Sequence, residues 1–148
     1  MRDAVWTLLS LLLITLPTIG CGAKSAGPET YPVTGVVTLA GAPVDGAIVQ
    51  FTPTSPDAGI SGAQTITRPD GTFEMKINLD MGKTAKLGLP PGDYKVAITK
   101  LQATPEQSAP NIPPKNVLPP KYATTDASEL SAKVTVDGEN RFEFPLAK

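Results

Sequence analysis

Beyond Thr30 the sequence settles into short runs in which apolar and polar side chains alternate. In Tyr31 to Ala40 (YPVTGVVTLA), Val33, Gly35, Val37 and Leu39 fall on one face, and β-branched residues dominate. A period of two with that composition predicts a half-buried strand. Gly41-Ala42-Pro43-Val44-Asp45-Gly46 carries turn residues, and in Ala47 to Thr52 the positions Ala47, Val49 and Phe51 share a face. These two runs are predicted to pair as a hairpin. A weaker run, Ser61 to Thr67, leads into Arg68-Pro69-Asp70-Gly71, where Pro presets φ and Gly tolerates a positive φ. Thr72 to Asn78 alternates through Phe73, Met75 and Ile77, and Tyr94 to Lys100 through Tyr94, Val96 and Ile98. The last two runs carry Ala132, Val134 and Val136, then Phe142, Phe144 and Leu146. Seven alternating runs divided by Gly and Pro turns predict an all-β fold, a seven-stranded antiparallel β-sandwich. Its core is predicted to hold Val37, Leu39, Val49, Phe51, Phe73, Met75, Tyr94, Val96, Ile98, Val134, Val136, Phe142 and Phe144 between two sheets.

Two stretches read as connections. Asp80 to Lys86 (DMGKTAK) reads as a charged loop. Residues 101–122 carry six prolines, at 105, 110, 113, 114, 119 and 120, a density that no regular strand survives. The segment reads as a Pro-rich crossover from one sheet to the other, pinned at its far end by Val117, Leu118 and Tyr122.

Composition narrows the function classes. Sixteen Pro and 13 Gly in 148 residues argue against a helical bundle. Thirteen basic and 14 acidic side chains give a net charge of -1, with no basic run, so phosphate neutralisation has no footprint and nucleic acid is not an expected partner. There is no histidine, which removes His-dependent triads and His-ligated metals.

The N-terminus carries a different signal. Ala4 to Leu16 (AVWTLLSLLLITL) is a mostly apolar run of 13 residues, bounded by Pro17. A helix needs ~20 residues to span the hydrocarbon core, so this run fits the apolar centre of a signal peptide. Gly20 stands before Cys21, the one cysteine of the chain. That pair resembles a bacterial lipobox, although Thr18 occupies the position where the pattern usually has Leu. The resemblance implies cleavage between Gly20 and Cys21 and a thioether-linked lipid on Cys21, completed by acyl chains such as palmitate. Residues 1–20 are thus read as a lipoprotein signal peptide, and 21–30 as a flexible tether, small, polar and aperiodic. Residues 31–148 form the domain.

Candidate chemistry within the domain is sparse. Asp45, Asp70, Asp93 and Asp137 each neighbour a glycine, where turns want Asp, and are read as turn residues rather than as paired carboxylates or calcium ligands. Gly82-Lys83-Thr84 imitates the end of a P-loop, but the required first glycine is replaced by Ile77. With no base to activate a serine, nucleophilic catalysis is not expected.

The order of motifs nevertheless resembles a known family. Pro32-Val33-Thr34-Gly35-Val36-Val37-Thr38-Leu39, Gly41-Ala42-Pro43-Val44, Val49-Gln50-Phe51-Thr52-Pro53, Asp70-Gly71-Thr72-Phe73 and Pro91-Gly92-Asp93-Tyr94-Lys95-Val96 look like the carboxypeptidase regulatory-like (transthyretin-like) domain. Leu118-Pro119-Pro120-Lys121-Tyr122, Ser128-Glu129-Leu130 and the closing Asn140 to Leu146 are similar to small lipoproteins of this type from planctomycete-like bacteria. The resemblance implies a prealbumin-like sandwich with no catalytic residues and no cofactor. The functional expectation is a non-catalytic, lipid-anchored module, secreted across the inner membrane and held at the cell envelope. It would serve a structural or protein-interaction role there. The alternative is a module that binds carbohydrate or a small ligand. In that case Tyr31 and Tyr122 are the aromatic side chains the core does not need.

Overall fold

A computed structural model describes residues 27–103 and 113–148. Among these residues there is no α-helix, and about half lie in strands. β1 (Val33–Leu39) is paired along its whole length with β12 (Asn140–Leu146), from Val33 opposite Asn140 to Leu39 opposite Leu146. Its other edge is shared by β2 (Ala42–Pro43) and β5 (Thr72–Glu74). A second four-stranded sheet runs β11 (Ser131–Val134), β8 (Gly92–Thr99), β3 (Ile48–Pro53), β4 (Ala63–Ile66). All seven sequence runs are strands here.

The two sheets share one core. Phe51 of β3 meets Phe73, Phe142 and Phe144 of the first sheet and Tyr94 of its own, with ring centroids 5.9 to 6.3 Å apart. Around these rings lie buried Val33, Val37, Val49, Met75, Ile77, Leu89, Val96, Ile98 and Val134. Gly35 belongs to this face for want of a side chain. A Cβ there would stand 2.5 Å from both the Phe73 ring and the Phe142 carbonyl. Aromatic cover over a strand glycine offsets the packing it cannot supply.

Several expectations are corrected. The runs of β1 and β3 do not form a hairpin with each other. β1 turns back only as far as β2, with Thr38 opposite Pro43. The Val44 amide then donates to Val37 O, its side chain is buried, and the chain passes to the other sheet. Buried Thr67 fixes that passage, since its hydroxyl donates to Val44 O at 2.6 Å and accepts from the Ala47 amide at 2.8 Å. The ladders are not all antiparallel either, because β1 and β12 run parallel. A parallel pair needs a long connection, and these two strands are joined by the rest of the domain.

The Asp80 to Lys86 loop is half strand. The run that begins as β5 bends at Met75 and continues as β6 (Lys76–Leu79), which pairs with β7 (Thr84–Leu87). Gly88 follows at φ +86, where a side chain would collide with the Tyr31 carbonyl. Asp93 lies within β8 opposite Lys133, 3.7 Å from its ammonium, rather than in a turn. Val136 is not core. β11 ends at Val134 because the Thr135 amide donates to Asn140 Oδ1 at 2.8 Å, and Val136 is left 52% exposed in the loop. Leu39 and Phe142 are only partly buried, packed against the core from its margin.

β8 and β11, the strands on either side of residues 101–122, are neighbours in one sheet and not members of the two that the expected crossover would join. β9 (Leu101–Gln102) pairs with β10 (Lys115–Asn116), so the segment leaves and returns through a short ladder. Asn116 Oδ1 accepts from the amides of Lys100 and Leu118 and completes that clasp. Leu118 is buried as expected, whereas Val117 points outward.

Candidate functional site

Gly20 and Cys21, the residues expected to carry the cleavage site and lipid, lie outside the described residues. What the structure places is the point from which the chain leads back toward them. Tyr31 and Leu89 exchange backbone hydrogen bonds of 2.9 and 3.0 Å. Preceding residues follow β7. Thr30 Oγ1 donates to Leu87 O at 2.8 Å, and Lys86 Nζ donates to Pro28 O at 2.7 Å. Gly27 reaches the level of Leu79, the last residue of β6, close enough that a Cβ would stand 2.6 Å from its Cδ1. The domain end of the tether is thus stitched to the β6–β7 hairpin.

One shallow concave surface lies between the solvent face of β3 and β4 and the neighbouring β6. Gln50, Ser61, Gln64, Lys76 and Asn78 line a shallow cleft of about 290 Å³. An adjoining groove continues past Ile48 and Ile66. Alternation explains most of the lining, because Gln50, Gln64, Lys76 and Asn78 are the out-facing members of strands whose other members build the core, while Ser61 comes from the bend before β4. Three amides and one ammonium offer donors and acceptors in a row, chemistry suited to hydroxylated or amide-bearing ligands. Sequence reading missed this cleft, since nothing in Gln50 or Asn78 marks them beyond facing outward.

The two tyrosines expected to be free are engaged. Tyr31 packs against the core, and burial with the nearby Glu29 carboxylate raises its phenol pKa. Tyr122 also packs against the core, accepts from the Ala147 amide at 3.0 Å, and carries the Lys121 ammonium 5.0 Å above its ring.

Other polar groups have turn and ladder roles. Asp70 Oδ1 accepts from the Thr72 hydroxyl at 2.6 Å and its amide at 3.0 Å, and these bonds hold its carboxyl below the usual range. Buried Asn140 accepts from Thr135 and donates to Thr135 O and Pro32 O, fastening the start of β12 to the approach to β1. Among the described residues every buried side-chain nitrogen and oxygen has a partner, and no group of three acidic or cysteine side chains is gathered as a metal site would need. No helix among them is long and apolar enough to cross a membrane. No family model, no curated protein and no solved structure matches the chain.

Proposed function

We propose that this protein is a lipid-anchored, non-catalytic module of the cell envelope, with a structural or protein-interaction role. The observation that carries the reading is the order of segments. An apolar run too short to span a bilayer ends at Gly20-Cys21, a spacer follows, and the spacer leads into a β domain. We further read the two sheets as a prealbumin-like sandwich of the carboxypeptidase regulatory-like type. The shared aromatic core and the order of the Gly-x-Pro, Asp-Gly-x-Phe and Pro-Gly-x-Tyr motifs support this. The carboxylates engaged in turns and ladders favour a scaffold over a reaction centre.

Replacing the thiol tests the anchor. Cys21→Ser abolishes incorporation of labelled palmitate, and either releases the protein to the soluble fraction or leaves the precursor uncut. Unchanged labelling and fractionation overturn the reading. One observation favours the second reading, a binding module: the amide-lined cleft of Gln50, Gln64 and Asn78. Glycan-array binding that is lost in Gln64→Ala would move the function there.

A further inference from the structure

We propose that the tip of the β6–β7 hairpin, Met81 with Lys83 beside it, rests on the membrane surface next to the lipid anchor and so fixes how the domain stands on the bilayer. This rests on the reading of Cys21 as the lipid-bearing residue. β6 and β7 pair as far as Leu79 and Thr84, so residues 80–83 form the tip. Met81 is fully exposed there, in the left-handed region at φ 56 and ψ 36. A large apolar side chain in that conformation is uncommon, since Gly or Asn is the usual occupant. Neither the core nor the turn geometry accounts for a methionine at this place.

The course of the tether supplies the occupant. From Tyr31 back to Gly27 the chain leads toward the tip, with Thr30 bonded to Leu87, Lys86 to Pro28, and Gly27 beside Leu79. Gly27 lies only six positions after Cys21, a span of at most about 20 Å when fully extended. A lipid on Cys21 therefore keeps Gly27, and with it the Leu79 end of the hairpin, within about that distance of the headgroups, while β8 carries the chain to Leu101 at the opposite end. Lys76, Lys83 and Lys86 against Asp80 make the hairpin cationic, which suits anionic headgroups. Methionine is a side chain that adapts to a soft apolar boundary, and long lysine stems let their charge sit at the interface.

The test uses the full chain, processed in cells and reconstituted in vesicles of phosphatidylethanolamine and phosphatidylglycerol. Acylation occupies Cys21, so a thiol introduced as Met81→Cys, Lys83→Cys or Leu101→Cys accepts an environment-sensitive fluorophore alone. Nitroxide lipids are expected to quench the labels at 81 and 83 severalfold more than the label at 101. Equal quenching at the three positions, with intact mass showing Cys21 acylated, overturns the orientation and leaves the anchor standing. A mass showing Cys21 free overturns the anchor, and the orientation falls with it. The two positions at the tip guard against an effect of losing Met81 itself.

Discussion

Tyr94 shows how one buried side chain makes stability depend on pH. Its hydroxyl donates to Pro90 O at 2.7 Å within the core, and burial pushes its pKa up to about 12 from 10.0. Between those values the unfolded chain has lost the phenolic proton and the folded one retains it. The unfolded state then binds fewer protons, so stability falls as pH rises through that window. Tyr94→Phe removes this part of the alkaline decline, and at neutral pH costs about 1 kcal/mol for the lost hydrogen bond. Denaturant titrations of both proteins at neutral and alkaline pH check it; parallel pH curves would refute it. Tyr94 was legible as core from alternation alone. Val136 keeps the same alternation and is exposed, because Asn140 ends the strand through a side-chain bond that spans five positions. Periodicity carries no trace of such a bond.

At the scale of elements, strands were legible and their partners were not. The runs that build the core face obey the period of two, so β1, β3, β5, β6, β8, β11 and β12 all follow from it. β7 has no buried residue to announce it: Thr84, Ala85 and Leu87 are exposed and Lys86 is partly so. Its polar composition reads as loop because the strand is stabilised by its ladder to β6 and by the tether, not by burial. The Pro-rich segment hides its clasp for the same reason, since β9 and β10 hold two residues each. That clasp makes a contrast between adjacent residues. Leu118 is buried beneath it, and Leu118→Ala should cost about 2–5 kcal/mol. Val117 is 44% exposed, and Val117→Ala should change stability by about 0.5 kcal/mol or less. Equal losses in chemical denaturation would mean the clasp, not the core contact, fixes this end of the segment.

For the whole molecule, the decisive feature is that the first and last strands of the domain lie side by side. Alternation assigns each strand a face but says nothing about its neighbours, so the β1–β12 pair could not be read from the sequence. The pairing is nonlocal in the extreme: the bond from Asn140 Nδ2 to Pro32 O spans 108 positions. Closing so long a loop is slow, and a domain built on such contacts should fold in ~milliseconds to seconds rather than microseconds. β12 also carries Phe144 and Leu146 into the core and sets Phe142 at its margin, with Phe144 stacked on Phe73 at 6.1 Å. A chain ending at Glu139 loses those side chains and leaves the whole edge of β1 unpaired. Several kilocalories are then missing from a domain that has only ~5–15 kcal/mol in hand. That truncation should abolish the cooperative unfolding transition. A chain ending at Leu146 should keep it, because it forgoes little beyond the bond from the Ala147 amide to Tyr122. Urea titrations followed by near-ultraviolet circular dichroism separate the outcomes. A sigmoidal transition in the chain ending at Glu139 would show that the domain closes without its last strand.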